Sequence, residues 1–198
     1  MNRLLVLLLC VLVVPVAYGQ EMRIDVIVFR MAANADSPVW DSARELPPCD
    51  AVRLRTGGGA EAAFSQGQAG CRLRTDRSAM PGGLNTTDAA PLAEHVNRLR
   101  KGGYVVLAAE SWRQGSPSGA PVLLRAGQLV HEHPELEGTI AVSGVERLAA
   151  VELSLTLQSI AAERPLFASL RETRRLKPGE WHYFDHSLFG ALVRVSLP

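Results

Sequence analysis

Trp181, Tyr183 and Asp185 follow one another at two-residue spacing near the C-terminal end of a 198-residue chain. In an extended segment that spacing puts all three on one face, with His182, Phe184 and His186 on the other. Two flat rings beside a carboxylate could stack on a sugar and accept hydrogen bonds from its hydroxyls. Arg171, Arg174 and Arg175 precede them and offer guanidinium forks for a carboxylate. Arg171, Thr173 and Arg175 share one face of that segment, and Leu170, Glu172, Arg174 and Leu176 share the other. Arg171, Arg174, Arg175, Trp181, Tyr183, Asp185 and His186 are therefore the candidate ligand-binding residues. A plainer role is open to the same residues. Arginine stems would cover a sheet, their heads would pair with Glu172, Glu180 or Asp185, and the rings would pack a hairpin.

Catalytic chemistry has less to stand on. Glu172 and Asp185 could form a carboxylate pair for glycoside cleavage. Asp185-His186 with a serine would resemble part of a hydrolase triad. Neither comes with a motif, since the chain has no GxSxG and no HExxH. His131 and His133, with Glu132 and Glu135 nearby, would place two imidazoles on one strand face. The local sequence supplies no third ligand and Pro134 interrupts the element, so an exposed loop is expected rather than a metal site. No cofactor is implied.

The elements that would hold these residues read as follows. Lys177-Pro178-Gly179-Glu180 suits a type II turn or part of a longer hairpin loop, because proline and glycine occupy its central positions. Phe189, Ala191, Val193, Val195 and Leu197 then form an apolar ladder. Val151, Leu153, Leu155 and Leu157 alternate with Glu152, Ser154, Thr156 and Gln158, the cleanest half-buried strand in the chain. Leu136–Ser143 precedes it as the other arm of an antiparallel hairpin. Ile24, Val26 and Val28 alternate with Arg23, Asp25 and Ile27 in a first strand that ends near Phe29. Residues 88–101 predict a helix with Asp88 as N-cap, an apolar stripe at Leu92, Val96 and Leu99, and Gly102-Gly103 as its stop. Tyr104–Gln114 is a strand, so strand, helix and strand suggest a β-α-β unit. Pro121–Leu124 is a short strand followed by a turn at Arg125–Gly127. The fold class is α+β: a single mostly antiparallel sheet, one main helix on a face, and a ferredoxin-like core with extra strands.

Arg3, the apolar run Leu4–Val14, Pro15 and the small residues Ala17 and Gly19 predict a secretory signal over residues 1–19. Residues 20–198 then form one domain, with a Gly/Pro/Ala-rich excursion over 31–87 in which Trp40 is the large anchor. Arg3 is the only charged residue of the signal, and the whole chain has 21 Lys+Arg against 20 Asp+Glu. The remainder is near neutral, which leaves no field to gather nucleic acid or an anionic membrane. No later segment is apolar enough for a span. Cys49 and Cys71 would be bridged in an oxidising compartment, with free thiols or intermolecular pairing as alternatives.

The closing stretch LRETRRLKPGEWHYFDHSLFGALVRV resembles the C-terminal signature of the CsiV family. RIDVIVFR, YVVLAAESWRQ and LEGTIAVS are similar to that family's other blocks, in the same order. The resemblance implies a non-catalytic, periplasmic, peptidoglycan-binding accessory protein. It also implies as partners a bifunctional (class A) penicillin-binding protein and that synthase's outer-membrane lipoprotein activator. A protein–protein adaptor without glycan affinity is the alternative.

Overall fold

The computed structural model describes residues 21–31, 52–54, 60–62, 85–86, 90–115, 119–130, 133–144, 147–159 and 166–197. The signal segment, Trp40, Cys49, Cys71, Asp88, His131, Glu132 and most of the 31–87 excursion lie outside them.

The chain runs β1 (Glu21–Arg30), β2 (Val52–Leu54), β3 (Ala60–Ala62), β4 (Asn85–Thr86), a 3-10 turn (Ala90–Leu92), α1 (Ala93–Lys101), β5 (Val105–Gly115), β6 (Val122–Val130), β7 (His133–Ser143), β8 (Ala149–Gln158), β9 (Phe167–Leu176), β10 (Trp181–Asp185) and β11 (Phe189–Ser196). The expected single sheet is instead two. One has the order β10-β11-β1-β5-β4 and the other β3-β2-β6-β7-β8-β9. Every pairing is antiparallel except β2 with β6.

The period-two patterns of the sequence explain the packing. Met22, Ile24, Val26 and Val28 of β1, Ala191, Val193 and Val195 of β11, and Val151, Leu153, Leu155 and Leu157 of β8 meet in one apolar core shared by both sheets. Each of these Val, Ile, Leu and Met side chains contributes about 1.5–3 kcal/mol on burial. Phe184 of β10, wholly buried, joins this core. The alternate residues of the first sheet form its other face. There Ile27, Leu92 and Val96 make a second cluster, with Leu99, Val106, Ala109, Trp181 and Leu192 partly buried against it. Gly102 follows the helix and Gly103, at φ 85°, reverses the chain into β5.

Four further expectations are corrected. β1 and β5 are antiparallel neighbours, so they do not form a β-α-β unit with parallel strands. Arg125–Gly127 is not a turn but lies within β6, where the register with β7 shifts and Gly127 takes φ 81°. Such a bulge bends the strand without ending it. His133 and Pro134 likewise belong to β7, opposite Val130 and Leu129. The Lys177–Glu180 turn is present, with Gly179 at φ 85°, but it does not close a ladder between its flanking strands. β9 pairs with β8 and β10 with β11, so the turn carries the chain from one sheet to the other.

Candidate functional site

Residues on the outer face of the first sheet line up in rows fixed by strand register. One row runs Trp181–Arg194–Asp25–Ser111 across β10, β11, β1 and β5. The next runs Tyr183–Leu192–Ile27–Ala109, and beyond it Asp185, Gly190 and Phe29 are in register. The face therefore grades from an aromatic and acidic end, through an apolar middle, to a basic end.

At the aromatic end the Tyr183 ring lies parallel to Phe29, with centroids 6.0 Å apart and planes 10° apart. Tyr104 meets Phe29 edge-on at 5.1 Å. Phe29 is buried, whereas Tyr104 and Tyr183 are 36% and 41% exposed. Gly190 makes this possible, because a Cβ there would stand 2.5 Å from Tyr183 Cε2 and 2.9 Å from its oxygen. The ring thus lies against bare backbone. Tyr183 donates its hydroxyl to Asp185 (2.7 Å). Burial, then the bond to Asp185 and its charge, push the phenol up to about 12. Gly190→Ala should lift the ring from the sheet and release the hydroxyl. The Tyr183 phenol should then titrate toward its ordinary value near 10, read by absorbance, with the fold retained.

At the basic end Asp25 is wholly buried and accepts four hydrogen bonds. Ser111 Oγ donates at 2.7 Å, Arg23 Nε at 3.0 Å, and Arg194 through Nε at 3.0 Å and Nη2 at 2.8 Å. Burial alone would raise this carboxyl. The bonds from Ser111, Arg194 and Arg23, with the charge of Arg23, outweigh it and hold the pKa below its ordinary value. The Arg194 guanidinium also lies over the Trp181 ring, 4.6 Å from its centroid. His95 of α1 meets the same ring at 4.8 Å.

The structure divides the seven candidate residues. Trp181, Tyr183 and Asp185 share the outer face of the first sheet, two rows of it apart from end to end. Arg171 and Arg175 are exposed on β9 of the other sheet, on the side opposite Leu170 and Leu176. Arg174 bridges the two sheets. It pairs with Glu172, donates Nη1 to the Tyr183 carbonyl (3.0 Å) and lies over Phe184 at 5.0 Å. His186 follows β10 and lies beside Phe189, where its Nδ1 accepts from the Leu188 amide (3.2 Å). Burial lowers its pKa, against the opposing charge of Asp185.

The sequence did not single out Phe29, Tyr104, Gly190, Arg194 or Asp25 as parts of this face. Parity held the one available signal: Arg23, Asp25, Ile27 and Phe29 alternate as regularly as the core residues between them. Among the described residues no three His, Cys, Asp or Glu side chains are grouped to hold a metal ion, and no helix is long and apolar enough to cross a membrane.

This chain belongs to the CsiV family. The family model described as "Peptidoglycan-binding protein, CsiV" matches residues 2–197, nearly the whole sequence. No curated protein and no solved structure matches it.

Proposed function

We propose that this CsiV-family protein binds peptidoglycan in the cell envelope, without cleaving it, by stacking sugar rings on Tyr183 and Tyr104. One observation carries the assignment: two exposed rings are fixed on a rigid sheet by Phe29 and Gly190, with an oriented carboxylate beside them. Sugars present apolar C–H faces rimmed by hydroxyl donors. Rings for the faces and an acceptor for the rim are the matching surface. The restraint matters as much as the contact area, because side chains already held lose little freedom on binding.

The finer role follows the family. Residues 1–19 would direct export to the periplasm, and Cys49 and Cys71 would be bridged there. The wall-bound protein would support a class A penicillin-binding protein and its lipoprotein activator. Arg171 and Arg175 are exposed on the other sheet, the surface on which such a protein partner would dock.

Sedimentation with purified sacculi tests the binding. The wild-type protein should pellet with the wall. Tyr183→Ala and Tyr104→Ala should each lower the affinity by about fivefold, corresponding to about 1 kcal/mol per ring. Wild-type protein left wholly in the supernatant would end the proposal. Release of soluble fragments from the sacculi would end its non-catalytic part.

A further inference from the structure

Among the described residues, the basic end of the same face has side-chain nitrogens with no protein hydrogen-bond partner. Arg194 spends Nε and Nη2 on Asp25 and leaves Nη1 without a partner among the described residues. Trp181 Nε1 and His95 Nδ1 are buried and also unpartnered. All three belong to one stack, since Arg194 and His95 each contact the Trp181 ring. A buried donor without an acceptor is costly and uncommon in folded proteins. Here an indole N–H stands in that position beside a guanidinium with donors to spare.

We propose that this corner is a carboxylate subsite, formed by Arg194 Nη1 and Trp181 Nε1 with His95 beside them. Building on the peptidoglycan reading above, its ligand is a free carboxylate of the wall's stem peptide. The opposite end of the face takes the sugar. A carboxylate fits because it is an acceptor only, with two oxygens to share between a guanidinium and the indole N–H of the ring beneath it. Asp25 acts as a positioning residue. It is buried at the sheet centre and fixes the plane of the Arg194 fork from below, while the Trp181 ring fixes it from the side. An apolar trio of the same volume would hold the sheet as well. It would not leave a fixed guanidinium at the surface, one quarter of its side chain exposed.

The two ends also divide the ligand by charge. Asp185 beside Tyr183 disfavours an anion at the aromatic end. Arg194 favours one at the basic end. A wall fragment carrying both a sugar and a peptide would therefore bind in one orientation along the face.

The test uses the full chain and three soluble wall fragments: disaccharide-peptide, the same fragment with its carboxylates methyl-esterified, and peptide-free glycan. Binding is read by calorimetry. Esterification should cost the wild-type protein about tenfold in affinity, the scale of one charge-assisted hydrogen-bond pair. Trp181→Phe, which keeps an aromatic ring and removes the N–H, should weaken disaccharide-peptide several-fold and leave peptide-free glycan unchanged. Tyr183→Ala should weaken both. Equal affinity for esterified and free fragments, or equal loss of both ligands in Trp181→Phe, overturns the subsite while the aromatic site stands. Wild-type protein that binds none of the three overturns both.

Discussion

Asp25→Asn should lower the free energy of unfolding by about 3 kcal/mol, measured by urea denaturation at neutral pH. Removing one partner from a buried ion pair costs about 3–5 kcal/mol, because the other charge is left without compensation. The lower end applies here, since the Arg23 and Arg194 side chains are about a quarter exposed and water relieves part of the loss. Asparagine preserves the volume and one acceptor oxygen. Its amide, however, turns an N–H₂ toward donors that have nothing to give it. The effect should depend on pH with a definite sign. The folded carboxyl is held below its ordinary value, so the folded chain takes up that proton less readily than the unfolded one. Its stabilisation is complete above about pH 4, the unfolded value, and is lost as pH falls through the lower folded value. Wild type and Asp25→Asn should therefore differ by a constant amount at neutral pH and converge in acid. A gap that stayed constant into acid would show that Asp25 contributes by shape rather than by charge.

The buried carboxylate illustrates what the sequence did and did not disclose. Alternation in β1 placed Asp25 on the face opposite Ile24 and Val26, which the structure confirms. A polar residue on a strand is ordinarily read as facing solvent. Asp25 is buried because Arg194, 169 residues away, closes over it. No local pattern carries that information. The same holds for the aromatic end, where Phe29 and Tyr183 come from strands separated by most of the chain and meet only because β11 lies between them.

Strand identity was legible and strand partnership was not. β7 and β8 form the antiparallel hairpin their patterns predict. The apolar ladder of β11 faces the core along its length. An alternating pattern reports which side chains of one strand share a face, but not which strands share a sheet. The Lys177–Glu180 turn looked like a hairpin turn because its residues are those a tight reversal needs. Its neighbours instead join different sheets, and this separates Arg171 and Arg175 from Tyr183 and Asp185. A cluster contiguous in sequence became two surfaces, with Arg174 as the link between them.

Trp112→Ala should be about as damaging to stability as the loss of Asp25, and it tests the two-sheet arrangement directly. Trp112 of β5 is wholly buried in the shared core. Truncating such a residue costs about 3–5 kcal/mol, from lost burial and the cavity left behind. Its indole is also the first link of a polar chain through that core. Nε1 donates to Gln114 Oε1 (2.9 Å), and Gln114 Nε2 donates to the Val142 carbonyl (2.9 Å) on the other sheet. Trp112→Phe should keep most of the apolar contact but strand the Gln114 oxygen, at about 1–3 kcal/mol. Adding Gln114→Leu to Trp112→Phe should then cost less than the two single changes together, because the orphaned oxygen leaves with the side chain. Both sheets draw on one core, so Trp112→Ala should still unfold in a single transition seen alike by far-UV and near-UV circular dichroism. Two separated transitions would mean that the sheets are stable apart. The face holding Tyr183 and Arg194 would then not need the second sheet beneath it.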